Sequence, residues 1–222
     1  MLYIVSTPIG NLKDITLRAL EVLKSVDLIA AEDTRHTKIL LNEYGITAPL
    51  TSFFEHNEDA KAHQLLAMLK EGKSVALVSD AGTPGISDPG FRLIRLAKEN
   101  KIPMTIIPGP AAFLSALTLS GLPSDRFSFR GFLPVKSGGR RKALASLKES
   151  EETVIFYESP HRLLKTLKDA LEVLDDPVLV VARELTKKFE ERLEEQASKL
   201  LEHFASHKPL GEFVILFPPA KK

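Results

Sequence analysis

The sequence contains no cysteine, carries a formal net charge of only +1, and has no apolar run long enough for a membrane span. Without cysteine, a disulfide scaffold and a thiolate metal site are both excluded, and the chain fits a reducing compartment. Because the net charge is small, RNA binding would need local basic clusters. The apolar part of MLYIVSTPIGN is too short for a signal-peptide core and has no basic lead-in. We expect a cytoplasmic protein without membrane segments.

Two further absences concern small ligands. The chain has no G-x-G-x-x-G fingerprint and no glycine loop followed by Lys-Ser or Lys-Thr, so the common nucleotide motifs are missing. His36, His56 and His161 are far apart in sequence and form no H-E-x-x-H arrangement. We therefore expect no metal site.

Short apolar runs alternate with helical patterns along nearly all 222 residues. The patterns predict strands at 2–6, 28–32, 74–79, 104–108, 153–158, 178–184 and 212–217. They predict helices at 14–27, 37–45, 57–72, 88–100, 111–121, 159–174 and 190–206. Strands that are apolar throughout and joined by helices indicate an α/β fold with a parallel sheet covered on both faces. A long Pro-, Gly- and Ser-containing stretch follows Gly121, which favours two α/β domains, residues 1–118 and 119–222.

The stretch VSDAGTPGISDPG (78–90) ends a buried-looking strand in a loop with three glycines, two prolines and two aspartates. Similar turns follow two other strands, STPIGN at 6–11 and IPGPAA at 107–112. Ligands of parallel α/β sheets bind beyond the carboxyl ends of the strands. We expect these loops to converge on one crevice, where an aspartate suits a ribose diol, an amine or a cationic ligand. The alternative interpretation is a set of stiff strand-to-helix connections.

Several strings in one order, including AAEDTRHTKILL, LVSDAGTPGISDPGFRL, IFYESPHRLL and VARELTKKFEE, resemble the ribosomal RNA small subunit methyltransferase I family. This family belongs to the tetrapyrrole-methylase (class III) superfamily, and the resemblance extends from residue 2 to residue 217. It implies two α/β domains, the first with a mostly parallel sheet and the second with a mixed sheet, with S-adenosylmethionine in the cleft between them. It also implies 2′-O-methylation of a decoding-region cytidine (cytidine 1402) of 16S rRNA within the small ribosomal subunit, and a homodimer.

The resemblance also implies the cofactor residues. The loop that follows the strand at 74–79 takes the place of the superfamily's Gly-Asp-Pro turn, and small residues at a helix start allow its N–H groups to approach a carboxylate. The residues expected at the cofactor are Pro8, Asp80, Thr83, Pro84, Ala111, Ala112, Phe156, Tyr157, Gly211 and Glu212.

A 2′-hydroxyl is a weak acid, so a base or a cation near the reacting oxygen would assist transfer. We hypothesise that the string AEDTRHT supplies these groups through Glu32, Asp33, Arg35 and His36. The alternative is that Arg35 pairs with a carboxylate and only braces the turn.

Basic clusters in the second half are candidates for RNA contacts, since Lys and Arg bind phosphates without reading sequence. They are Lys136, Arg140, Arg141, Lys142, Arg162, Arg183, Lys187 and Lys188. The string KSGGRRK, with glycines beside cations, suggests a mobile clamp, although a solvated loop would have the same composition. Two other functions stay open, a methyltransferase acting on a tetrapyrrole or another small molecule, and a non-enzymatic RNA-binding assembly factor.

Overall fold

The computed structural model describes residues 1–206 and 208–220. Its contacts divide the chain into two units, Met1–Ala111 and Ala112–Lys222. A five-stranded sheet forms the centre of each. The boundary expected between residues 118 and 119 lies inside a helix of the second unit, Ala112–Ser120.

The first unit contains a wholly parallel sheet. Its strands are β1 (Leu2–Val5), β2 (Leu28–Ala31), β3 (Leu50–Ser52), β4 (Val75–Val78) and β5 (Met104–Ile107). They pair in the order β3-β2-β4-β1-β5. The helices are α1 (Leu17–Ser25), α2 (Thr34–Glu43), α3 (Glu58–Lys70) and α4 (Phe91–Glu99).

Both faces of this sheet are buried at its centre, on β4, as the uniformly apolar strands predicted. Along β4, Ala76 and Val78 join one core with Leu23 of α1 and Leu40 of α2. The alternate residues of β4 join a second core with residues of α3 and α4. Because parallel strands share one direction, all of their carboxyl ends lie at the same edge of the sheet.

The second unit has a mixed sheet, as the resemblance implied. Its strands are β6 (Phe127–Phe132), β7 (Thr153–Glu158), β8 (Val178–Arg183), β9 (Glu191–Gln196) and β10 (Phe213–Phe217). Their order is β6-β7-β10-β8-β9, with β6 parallel to β7 and the other pairs antiparallel.

Helices cover both faces of the mixed sheet. They are α5 (Ala112–Ser120), α6 (Ser137–Ala145), α7 (Leu163–Leu174) and α8 (Ala197–Ser206). Side chains of α6, α7 and α8 form one core with the sheet. Val180 and Ala182 of β8 and Val214 and Leu216 of β10 lie outside that core and are also buried, and α5 contacts both strands. The α/β architecture is thus confirmed in both units.

Three details of the sequence-based assignment are wrong. Residues 191–196 form the edge strand β9, not the start of a helix, because ERLEEQ pairs along the whole of β8. Helix α4 begins at Phe91 and not at Asp88, since Gly90, with a φ of +146°, precedes its first turn. The KSGGRRK segment is not a mobile loop, because residues 137–142 belong to α6.

Candidate functional site

The loops after β1 and β4 are joined at the carboxyl edge of the first sheet. The Thr7 amide donates to the Gly82 carbonyl at 2.8 Å, and the Gly82 amide donates back to the Thr7 carbonyl at 3.1 Å. The Thr7 hydroxyl also donates to the Ser79 carbonyl at 3.0 Å, and the hydroxyls of Ser6 and Thr83 are 2.8 Å apart. These bonds hold the two loops as one unit.

The loop after β5 meets the same edge. The Ser6 amide donates to the Ile107 carbonyl at 3.1 Å, and a Cβ atom at Gly109 would lie only 3.0 Å from the Ser6 Cβ. Gly82 has a φ of +81°, which favours glycine. The predicted convergence of the three Gly/Pro loops is therefore confirmed.

A fourth loop, after β2, brings carboxylates to this edge. Asp80 Oδ1 accepts a hydrogen bond from the Asp33 amide at 3.0 Å, and Glu32 Oε2 accepts one from the Asp80 amide at 3.4 Å. The predicted catalytic string and the predicted cofactor aspartate are thus direct neighbours. Glu32 and Asp80 each constrain the backbone of the other loop.

The environment of Glu32 favours its protonated form. Burial raises the pKa of Glu32 above its ordinary value, and the charges of Asp80 and Asp33 act in the same direction. The hydrogen bond from the Asp80 amide opposes this effect without cancelling it. A carboxylate with a raised pKa is a better proton acceptor than an ordinary one.

Asp33 has the opposite character. It caps α2 by accepting from the Arg35 amide at 2.8 Å, and it binds the Arg35 guanidinium through Nε at 3.1 Å and Nη2 at 2.7 Å. These bonds hold the pKa of Asp33 well below its usual range and raise the pKa of Arg35. The Arg35 side chain is still 89% exposed, so its charge faces solvent. His36 follows it, exposed, in the first turn of α2.

The other candidates of the first unit are arranged around these groups. Pro8 and Pro84 are buried and shape the backbone of their loops. Asp80, Thr83 and Ala111 are half-buried. Sequence analysis missed Ser6 and Thr7, which are buried polar residues that tie the loops together. Their signal was a pair of hydroxyl residues directly after an apolar strand.

The candidates near β7 differ in accessibility. Phe156 lies in the core of the second unit and is 3% exposed. Tyr157, on the other face, is half-buried, and its ring meets Phe129 at 4.7 Å and Phe132 at 5.8 Å between centroids. Phe129 in turn stacks on Phe113 at 4.5 Å, one residue after Ala112 at the start of α5. Tyr157 is therefore the member of the pair that a ligand could reach.

Gly211 and Glu212 belong to a tight polar contact. Gly211 has a φ of +92°, which favours glycine, and a Cβ atom there would displace the Glu184 side chain. Glu184 accepts hydrogen bonds from the Glu212 amide at 3.1 Å and from Lys187 Nζ at 2.9 Å, and Lys187 also reaches Glu212 Oε2 at 2.7 Å. Burial lowers the pKa of Lys187, but its bonds to Glu212 and Glu184 outweigh this and raise it.

The basic residues expected at RNA fall into two groups. Lys136, Lys142 and Lys188 are exposed. The others pair with carboxylates, in the combinations Arg140–Asp169, Arg141–Asp169, Arg141–Glu172, Arg162–Glu158, Arg183–Glu191, Lys187–Glu184 and Lys187–Glu212. Arg140 is also buried, with 4% exposure, and its Nη2 lies 2.6 Å from Asp169 Oδ2. It is therefore placed to hold α6 on α7.

Within 1–206 and 208–220, no helix has both the length and the apolar character of a membrane span. In the same ranges, no three His, Cys, Asp or Glu side chains are grouped as a metal site.

Comparison with known proteins places the chain in a family. Residues 1–201 match the Tetrapyrrole (Corrin/Porphyrin) Methylases. The sequence is 58% identical over 190 residues to Ribosomal RNA small subunit methyltransferase I of Escherichia coli O157:H7, covering 85% of this chain and 66% of that relative. It is 50% identical over 215 residues to the protein of the same name from Thermotoga maritima, covering 97% and 96% of the two chains.

Solved structures share the fold at low identity. Cobalt precorrin-4 methyltransferase superposes with a TM-score of 0.69 at 18% identity, covering 97% of this chain and 94% of the other. Uroporphyrin-III-C-methyltransferase from Thermus thermophilus gives 0.68 at 19%, with coverage of 99% and 94%. Fold and sequence agree, and the chain belongs to the ribosomal RNA small subunit methyltransferase I family of the tetrapyrrole methylases.

Proposed function

We propose that this protein transfers a methyl group from S-adenosylmethionine to the ribose 2′-oxygen of cytidine 1402 in the decoding region of 16S rRNA. We further propose that it acts in the cytoplasm, on the assembled small ribosomal subunit, and as a homodimer. The main support is the high identity to proteins named Ribosomal RNA small subunit methyltransferase I over nearly the whole chain.

The carboxyl edge of the first sheet suits this cofactor. S-adenosylmethionine supplies a methyl group that its positively charged sulfonium has already activated. Asp80 offers a half-buried carboxylate, which can accept hydrogen bonds from a ribose diol or an amine and can offset a positive charge. Gly82 and Gly109 keep the loops free of side chains where they approach their neighbours. We assign cofactor binding here to Asp80 and Thr83, with Pro8, Pro84 and Ala111 shaping the loops.

The second unit contributes candidates of different kinds. The face of Tyr157 suits adenine, because aromatic rings stack on bases of any identity. Phe156 supports that strand from the core. Ala112 leaves the start of α5 without a bulky side chain, and Gly211 with Glu212 forms a polar turn that is hydrogen-bonded to Glu184 and Lys187.

The groups after β2 suit the removal of the 2′-hydroxyl proton. We assign Glu32 as the proton acceptor because its pKa is raised by burial. Arg35 would stabilise the negative charge that develops on the oxygen, since its guanidinium is exposed yet held at one end by Asp33. Asp33 is then a positioning residue, and His36 lies beside Arg35 as a further donor. No step requires a metal ion in this scheme.

RNA contacts would come mainly from the exposed cations, Lys136, Lys142 and Lys188. Lysine binds phosphate as a flexible point charge and adds salt-dependent affinity. Arg141, Arg162, Arg183 and Lys187 already have carboxylate partners, so their RNA contacts would replace or share existing pairs.

A parallel transfer assay tests this function. Labelled S-adenosylmethionine is incubated with unmethylated small subunits, naked 16S rRNA and a tetrapyrrole, and any product nucleotide is mapped. We expect label at the 2′-oxygen of cytidine 1402 in subunits. Label in the tetrapyrrole alone would support a small-molecule methyltransferase, and RNA binding without transfer would support an assembly factor.

A further inference from the structure

The second unit contains a pocket beside Arg183 and Lys188, two of the proposed RNA contacts. It is open to solvent, encloses about 430 Å³ and lies near the β8–β9 connection. This volume falls within the range of small-ligand sites. The residues that define its chemistry are Arg183, Phe189, Glu191, His203, Phe204 and Lys208.

One wall of the pocket is a fixed polar cluster against an aromatic ring. Glu191 lies 3.1 Å from His203 Nε2 and 3.6 Å from Arg183 Nη1. The His203 ring meets the buried ring of Phe204 edge-on, with centroids 4.8 Å apart. Arg183 Nε is buried and, among residues 1–206 and 208–220, has no hydrogen-bond partner. The wall thus offers the acceptor oxygens of Glu191 to a ligand.

The rim of the pocket carries an exposed aromatic ring beside a lysine. Phe189 is 64% exposed, which is unusual for phenylalanine. Lys188 Nζ lies 5.6 Å from the centroid of its ring. An accessible ring beside lysines is the arrangement that proteins use to stack an unpaired base while contacting its phosphate.

The charges around the pocket allow an anionic polymer such as RNA to bind there. Lys187 pairs with both Glu184 and Glu212, and the carboxylate of Glu191 has Arg183 and His203 beside it. In the part of the chain that the structure describes, Lys188 and Lys208 make no ion pair, so their charges are free to meet phosphate.

We propose that this pocket binds one unpaired nucleotide of RNA, with its base stacked on Phe189 and its phosphate at Lys188 and Lys208. A base N–H or amino group would donate to Glu191, as carboxylates accept from the exocyclic amine of cytosine. This inference rests on the proposed function for the class of polymer, but it describes a second contact that holds substrate and does not react. Bases inside an A-form duplex are hidden from such a ring, so the site requires a single-stranded segment.

Direct binding tests the proposal without any transfer step. A short fluorescent oligocytidylate is titrated with the full chain and with Phe189→Leu, which keeps an apolar side chain but removes the ring. The expected result is a rise in Kd of about tenfold. Phe127→Leu is the matched control, since Phe127 is an exposed aromatic residue on β6 outside the pocket, and it should leave Kd unchanged.

A second pair of variants tests the phosphate contact. Lys208→Gln should weaken binding and reduce the slope of log affinity against log salt by about one. Lys199→Gln, an exposed lysine of α8, should change neither. Cofactor affinity should stay at the wild-type value in all four variants.

The proposal is overturned if the wild-type chain does not bind the oligonucleotide. It is also overturned if Phe189→Leu binds like Phe127→Leu, or if a hairpin duplex binds equally well and with the same dependence on Phe189. The parallel transfer assay tests the proposed function separately. If the protein methylates rRNA but does not bind the oligonucleotide through Phe189, the proposed function stands and only the nucleotide pocket is refuted.

Discussion

Two arginine–aspartate pairs, one in each unit, have similar geometry and opposite surroundings. Arg35 lies 2.7 Å from Asp33, and its side chain is 89% exposed. Arg140 lies 2.6 Å from Asp169, and its side chain is 5% exposed. The first pair caps a helix beside the strand-end loops, whereas the second fastens α6 to α7. Distance alone therefore does not assign a role to an ion pair, and burial distinguishes the exposed Arg35, which we propose acts in transfer, from the buried Arg140.

The buried pair should give the largest effect when it is broken. Arg140→Ala leaves the Asp169 carboxylate buried without its main partner, which should lower the free energy of unfolding by about 3 kcal/mol. Urea denaturation measures this. Arg141→Ala, at a more exposed partner of the same aspartate, should cost much less. If both variants lose the same free energy of unfolding, burial does not distinguish the structural role of Arg140 from that of Arg141.

The exposed pair should show its effect in catalysis and not in stability. Arg35→Ala should lower kcat for methyl transfer by about 10²–10³-fold, because a positioned cation near the reacting oxygen is lost. The Kd for S-adenosylmethionine and the melting temperature should stay near the wild-type values. Arg95→Ala, an exposed arginine of α4, is the control. If the Arg35→Ala variant keeps activity near that of the wild type, Arg35 only stabilises the turn by pairing with Asp33.

The pH dependence of transfer should identify the base beside this pair. Burial raises the pKa of Glu32, so its carboxylate form is lost as the pH falls through that raised value. The rate should therefore decline on the acid side at a pH above the ordinary glutamate pKa of about 4.3. Glu32→Gln should lower kcat by about 10²-fold and flatten this decline. A decline that persists in Glu32→Gln would point to another group.

The exposed lysines around α6 should give the smallest effect. Replacing Lys136 and Lys142 together by glutamine should reduce the salt slope of RNA binding by about two, one for each phosphate contact. The charge-matched control is the double glutamine variant of Lys165 and Lys168, two exposed lysines of α7. If both double variants have the same salt slope, the lysines around α6 do not contact RNA.

The sequence was most informative where burial was uniform. The apolar runs predicted β1, β2, β4, β5, β7, β8 and β10, because strands with helices packed on their faces are mostly apolar. The contact among the Gly/Pro loops was also predictable, because each loop follows a strand of a parallel sheet and such strands end at one edge. The residues of β3, β6 and β9 gave no such signal, because all three are edge strands without a continuous apolar run, and their pairing depends on distant neighbours.

The site residues were predictable in type but not in environment. The string AEDTRHT indicated carboxylates beside cations, but only the fold separates Glu32, with its raised pKa, from Asp33, with its lowered one. KSGGRRK was typical of a solvated loop, and the burial of Arg140 depends on Asp169 of α7. Tyr157 and Phe156 are adjacent in sequence, yet they point to opposite faces of β7, and sequence alone did not distinguish them.

A crystal structure of the protein with bound S-adenosylmethionine tests the central claim most directly. We predict that the donor lies at the carboxyl edge of the first sheet, within hydrogen-bonding distance of Asp80 or of the backbone at Thr83. Density for the donor at any other place, with the loops after β1 and β4 free of contact, would contradict the account.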